Sequence, residues 1–196
     1  MMKDYSYITK FDKKDLPYIY RLAEEVRATH NQDLVSEYNS LTEKKWNDHN
    51  PILTVGNRTI EPLEAVKSDD LVVNAGVNRC IDQILGISTV RWQLMTRGIG
   101  TTLPNVAQTT IVSETLPRVD MSLFGWREYA GASLRFAGIF GESIVTPPIA
   151  YSECGIFTTS TVGTMLNRNV FSVSITHQID INAFVLSCVI EFVPVV

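Results

Sequence analysis

Ile149-Ala-Tyr-Ser-Glu-Cys-Gly-Ile-Phe-Thr-Thr-Ser-Thr-Val-Gly-Thr-Met-Leu-Asn-Arg-Asn-Val-Phe171 reads as two strands and the connection that folds one back on the other. Ile149 to Thr158 carries Ile149, Tyr151, Cys154, Ile156 and Phe157, the apolar and aromatic types that fit a pleated, half-buried surface. Thr159 to Gly163 is small and polar and ends in glycine, which suits a loop. Met165, Leu166, Val170 and Phe171 resume the apolar pattern as the chain returns. The stretch does not bring an acid, a base and a nucleophile together.

Working outward, the same period of two recurs. Asn182 to Val193 is expected to form a last strand with Phe184, Leu186, Cys188, Ile190 and Phe192 on one face, after a turn at His177–Ile181. Upstream, Thr146-Pro147-Pro148 links to a hairpin in which Pro117–Trp126 goes out, Tyr129–Ala132 turns and Ser133–Phe140 returns. Thr109–Ser113 is β-branched and reads as an edge strand. From Ser88, Val90, Trp92, Leu94 and Thr96 alternate with Arg91, Gln93 and Met95. Gly98-Ile99-Gly100-Thr101 then opens a loop running to about Gln108. As a phosphate cradle it lacks the lysine, a third glycine and a following helix. Ser68, Asp69 and Asp70 can cap a helix over Leu71–Leu85, amphipathic and closed by Gly86. Strands at regular spacing with helices on the N-terminal side predict a mainly β chain. The expected fold is an antiparallel β-sandwich with one helix (about 71–85) packed on it, behind an α-helical N-terminal part.

That N-terminal part is differently built. Residues 1–70 hold 23 of the 38 charged side chains, so two parts are expected, with a boundary between Asn50 and Ser68. Leu16, Ile19, Ala23, Val26 and His30 recur at spacings of three and four, and the row continues through Leu34, Tyr38 and Leu41. Asp15 and Pro17 suit a helix start; Thr29–Gln32 is a weak point that allows one long helix or two; Ser40–Glu43 resembles a capping box near Trp46. The stripe either packs within its own domain or docks on a neighbouring subunit. On the docking reading 1–50 is a helical arm, with Leu16, Ile19, Val26, Leu34, Tyr38 and Leu41 as its contact residues. Ile52–Val55 and Arg58–Ile60 around Gly56-Asn57 predict a small hairpin. The division expected is arm 1–50, hairpin and linker 51–67, and helix plus sandwich 68–196.

Composition narrows the function. Apolar residues make up 45% of the 196, enough for a core, and the net charge of −4 comes with no basic stripe. A grip on nucleic acid through phosphate neutralisation is therefore not expected. Lys3, Asp4, Lys10, Asp12, Lys13 and Lys14 interrupt any early apolar run, so no signal peptide is expected. No apolar run is long enough to span a bilayer. Cys80, Cys154 and Cys188 are odd in number and form no C-x-x-C pair, which predicts buried thiols. Asn57-Arg58-Thr59 fits a glycosylation tripeptide and is read as chance.

The candidate catalytic constellations are weak. His30 lies on the helical stripe and His49 in a loop. Cys154 with His177 is conceivable as a nucleophile pair, yet Cys154 sits in an apolar run with nothing to lower its pKa. Glu153 with Asp180 could form a carboxylate pair, and each is more simply a strand-end or turn residue. No metal-ligand spacing, cofactor motif or internal repeat emerges.

Several pieces, taken in order, resemble tailed-bacteriophage virion proteins, especially those of tails, fibres and baseplates. They are the Leu71–Leu85 segment, Gly98-Ile-Gly-Thr-Thr-Leu-Pro104, Glu153-Cys-Gly-Ile-Phe157, Gly163-Thr-Met-Leu-Asn-Arg168 followed by Phe171, and the apolar strand after Asp180. The resemblance covers the C-terminal 126 residues and none of 1–70. It implies a non-enzymatic structural subunit of a virion, in the tail, neck or baseplate, with copies of itself in a ring-like homo-oligomer and other virion proteins as partners. No cofactor, nucleic acid or membrane is expected. The alternatives are a capsid-surface decoration protein, or a receptor- or carbohydrate-binding β-sandwich with Trp92, Trp126, Tyr129 and Tyr151 as stacking platforms.

Overall fold

Strand pairing in the computed structural model starts from the quoted stretch: β10 (Ile149–Phe157) and β11 (Met165–His177) run antiparallel, with Gly155 opposite Arg168. The structure describes residues 2–69, 71–130, 132–141, 148–158, 163–178 and 181–192. The connection expected at Thr159–Val162, and Asp180, lie outside them. A bulge between Tyr151 and Glu153 shifts the register and places Glu153 opposite Val170.

The remaining elements are β1 (Met2–Asp12), α1 (Leu16–Thr29), α2 (Gln32–Trp46), β2 (Leu53–Val55), β3 (Arg58–Ile60), β4 (Glu64–Asp69), β5 (Leu71–Val72), α3 (Asn74–Ile84), β6 (Leu94–Gly98), β7 (Glu114–Asp120), β8 (Gly125–Ala130), β9 (Ser133–Phe140) and β12 (Asn182–Phe192). The chain is mainly β with three helices. One five-stranded sheet has the order β4-β1-β12-β9-β8 and the other β5-β11-β10-β6-β7, and every pairing is antiparallel. One apolar core takes side chains from both sheets, among them Ile8, Phe136, Phe184, Leu186 and Ile190 from the first and Met95, Tyr151, Ile156, Phe171 and Ile175 from the second.

The N-terminal region is corrected most. Residues 1–50 are not an arm. β1 lies in the interior of the first sheet, paired along its length from Met2 opposite Phe192 to Asp12 opposite Asn182, with β4 on its other side. Its alternation is Tyr5, Tyr7, Thr9 and Phe11 on one face and Ser6 and Ile8 on the other. The charges at Lys3, Asp4, Lys10 and Asp12 obscured it in the sequence.

α1 and α2 cover the sheet's outer face. Leu16, Ile19, Val26, Tyr38 and Leu41 are buried, and Leu34 is partly buried, against Phe11, Trp126, Ala137, Ile139, Ala183 and Val185. The docking role expected for these six residues is therefore corrected: the stripe is core of its own chain. Of the two helical readings, the structure takes the broken one. His30 ends α1 with φ 52°, and the Asn31 side chain accepts from the N–H groups of Asp33 and Leu34 to start α2. α2 runs on through Ser40–Glu43, so no separate helix begins there.

Residues 51–67 are not a linker either. The hairpin forms as expected, with Gly56 at φ +62°, but Leu53, Val55 and Ile60 join the helical cluster and β4 pairs with β1. The helix expected over 71–85 is shorter: Leu71 and Val72 pair with Arg168 and Asn167, and α3 begins at Asn74. Ser68 and Asp69 belong to β4 rather than to a cap. The single packed helix is likewise corrected to three, with only α3 resting on the second sheet, where Gly76 approaches the Leu166 backbone too closely for any side chain.

Pro117–Trp126 is not one strand. β7 and β8 belong to different sheets and are separated by a turn in which the Asp120 carboxylate accepts from the Ser122 N–H and hydroxyl. Thr109–Ser113 is irregular, and β6 starts at Leu94 rather than Ser88. Phe192 is 51% exposed and leaves the face formed by Phe184, Leu186, Cys188 and Ile190. Cys154 and Cys188 are buried thiols, whereas Cys80 is only half-buried.

Candidate functional site

The second sheet carries a fully buried ion pair, Glu153 with Arg168. Arg168 Nε and Nη2 donate to Glu153 Oε2 at 2.9 and 2.8 Å. β10 and β11 bring the two together: Arg168 stands opposite Gly155, two residues along β10 from Glu153 and so on the same face of the sheet.

Both partners also hold a loop. The Glu153 carboxylate accepts from the N–H groups of Gly100 (2.9 Å), Val112 (3.2 Å) and Ser113 (2.7 Å). Arg168 Nη1 donates to Thr102 O (2.8 Å) and Gln108 Oε1 (3.2 Å), and Ser152 Oγ donates to Gly100 O (3.1 Å). A Cβ on Gly98 or Gly100 would collide with the Glu153 carboxylate. Three segments singled out in the sequence thus converge on one knot: Gly98–Pro104, Glu153–Phe157 and Gly163–Arg168. Their glycines make the approach possible.

The knot organises an uncharged surface. Residues 98–113 contain no Asp, Glu, Lys or Arg, and Ile99, Leu103, Val106 and Val112 point out of the loop, Leu103 at 80% exposure. The Asn74 N–H at the start of α3 donates to Val106 O, so the loop touches that helix. The far end of α3 and the segment beyond it expose Ile81, Ile84, Leu85, Ile87 and Val90, with Ile84 at 84%. Single exposed apolar residues are ordinary, but groups of this kind mark interaction surfaces.

The sequence-derived catalytic candidates are not brought together. Cys154 stands opposite Asn169 and His177 opposite Ile149, five residues apart along β10, or roughly 15 Å. Glu153 is committed to Arg168 and three backbone N–H groups. His30 is exposed and its Nδ1 pairs with Glu128 at 2.8 Å, and His49 is exposed. Among the described residues no group of three His, Cys, Asp or Glu is placed to hold a metal ion. Of the expected stacking platforms, Trp92, Trp126 and Tyr151 are buried, and only Tyr129 is exposed.

His177 is a structural histidine. Its Nε2–H donates to Asn182 O at 3.2 Å, and its ring lies 4.7 Å from that of Phe184. Burial first, and the Arg97 charge second, push its pKa down from 6.5 to about 4. The unfolded chain therefore takes up a proton near pH 6.5 that the folded chain refuses until about pH 4. Stability should fall as pH is lowered through that window, by on the order of 2 kcal/mol once solvent screening is allowed for. Urea midpoints at pH 7 and pH 4.5 test this: a His177→Gln variant should lose less between the two pH values than the parent chain, and equal losses would reject the assignment.

The sequence reads Glu153 as a strand-end or turn residue and gives no sign of Arg97, which is buried beneath a cleft at the opposite end of β6 from Leu94. The signal available for Glu153 was the pair of glycines at 98 and 100, which leave space that some other group must fill. No family model matches the chain, and no curated protein does. No helix of the structure is long and apolar enough to cross a membrane.

Proposed function

We propose that this chain is a non-enzymatic structural subunit of a tailed-phage virion, in the tail, neck or baseplate, assembling through protein–protein contacts with copies of itself and with other virion proteins. The fold is read as an antiparallel β-sandwich: two sheets share a core, and helices clothe the outer face of one of them. The observation that carries the reading is the uncharged loop 98–113, whose apolar side chains are held outward by a buried ion pair. A loop that is rigid before contact loses little conformational entropy on binding, so its apolar area converts more fully into affinity. Ring symmetry turns one such contact into a closed assembly. The carbohydrate-binding alternative loses support with the burial of Trp92, Trp126 and Tyr151.

The contact surface is placed on the loop and the exposed end of α3, and no longer on the N-terminal stripe. Light scattering coupled to size exclusion tests this. The parent chain should elute as a defined oligomer, and the double substitution Leu103→Glu, Ile84→Glu should yield monomer with unchanged far-UV circular dichroism. A parent chain that is monomeric at every concentration, or a double variant that assembles normally, would reject this surface.

A further inference from the structure

Where β7, β9 and α1 meet, a cleft of about 220 Å³ opens between Tyr20, Pro117, Val119, Phe124 and Phe140, with Arg97 in its lining beside Arg118, which is paired with Glu114, and Asp120, whose carboxylate is taken up by Gln93 and Ser122. Arg97 is 2% exposed. Its guanidinium carbon lies 4.3 Å from the Phe140 ring centroid and 4.7 Å from that of Tyr151, so it is flanked by one aromatic ring from each sheet. Among the described residues no carboxylate pairs with it, in contrast to Arg168 and Arg118. Its Nε is buried without a hydrogen-bond partner, and the polar group beside the guanidinium is the neutral Tyr151 hydroxyl rather than an anion. A guanidinium removed from water without an anion is costly, and aromatic faces offset only part of that cost.

We propose that this cleft is a binding site for a small organic acid, a carboxylate carried on an aromatic or branched apolar body, with Arg97 holding the carboxylate. The walls supply the second half of the match: Tyr20 and Phe124 meet edge to face at 6.0 Å at the rim, and Phe140 and Val119 continue the apolar surface inward. A dry cavity of ~150 Å³ accommodates a benzene ring, so the space admits one ring with its carboxylate. Burial holds the Arg97 pKa below its ordinary value, and the Tyr151 hydroxyl offsets only part of that effect. Planar guanidinium and planar carboxylate pair in two parallel hydrogen bonds, so orientation as well as charge is selected. The site is independent of the assembly surface, because it shares no residue with the loop 98–113 or with α3.

Calorimetric titration of the full chain with phenylacetate tests the proposal, alongside benzyl alcohol (ring without charge) and acetate (charge without ring). Phenylacetate should bind about tenfold or more tightly than either. Arg97→Gln should abolish the preference over benzyl alcohol, and Phe124→Ala, at the exposed rim, should weaken phenylacetate without disturbing the core. A blocked tripeptide ending in Phe distinguishes the source: tighter binding than phenylacetate assigns the carboxylate to a polypeptide C-terminus, weaker binding to a free acid. Equal binding of phenylacetate and benzyl alcohol, no heat with phenylacetate, or full retention in both variants would overturn the site.

Discussion

Deleting residues 1–12 should leave a chain that does not fold. β1 is the second strand of a five-stranded sheet, and its removal strands β4 and exposes one whole edge of β12. Tyr7, Ile8 and Phe11 are buried, on opposite faces of the sheet. Each such side chain contributes about 1.5–3 kcal/mol, so the three together approach the 5–15 kcal/mol by which a whole domain is stable. The unpaired edge would also be a template for aggregation. Far-UV circular dichroism and thermal unfolding of the truncated chain check this. A soluble product with a cooperative transition would mean that the sheet closes without β1. Deleting 1–50 should be worse, since it also uncovers the face beneath α1 and α2.

The second large effect is expected at Glu153. Glu153→Ala leaves the Arg168 guanidinium fully buried without its carboxylate and removes the acceptor for Gly100, Val112 and Ser113. Breaking one side of a buried pair costs about 3–5 kcal/mol. Replacing both partners, Glu153→Leu with Arg168→Met, should recover part of that loss because no lone charge remains. Recovery should be incomplete, because the three backbone N–H groups still lack an acceptor. Chemical denaturation of the single and double variants measures both steps, and limited proteolysis should cut the single variant first within residues 98–113. A Glu153→Ala chain within 1 kcal/mol of the parent would show that the knot does not hold the loop.

The two effects differ in how visible they were. The β10–β11 pair, the Gly56 hairpin, β9 and β12 were legible because each is signalled locally, by alternation, by a turn residue or by both. The Leu16–Leu41 stripe was legible as an apolar face, and its destination was not. A period of 3.6 states that one side of a helix is buried, and says nothing of whether the cover is a sheet of the same chain or a neighbouring subunit. β1 escaped because Lys3, Asp4, Lys10 and Asp12 sit at its two ends, where charge at strand termini imitates a solvated segment. Glu153 escaped for a related reason: a carboxylate inside an apolar run looks like a strand end until its partner, fifteen residues on, and the N–H groups of a loop some forty to fifty residues away are placed around it.

What the amino-acid order determined by itself is the set of strands and helices with strong local period, and the glycines at 56, 98, 100 and 155 where backbone or side chain had to come close. Tertiary structure alone decided that the N-terminal segment is the interior of a sheet, that the helical stripe is consumed within the chain, and that the outward apolar surface lies on α3 and the 98–113 loop. Side-chain periodicity is fixed by backbone geometry over a few residues, whereas the choice of what lies opposite a buried face is made by contacts between residues more than a hundred positions apart, such as Tyr7 with Ser187.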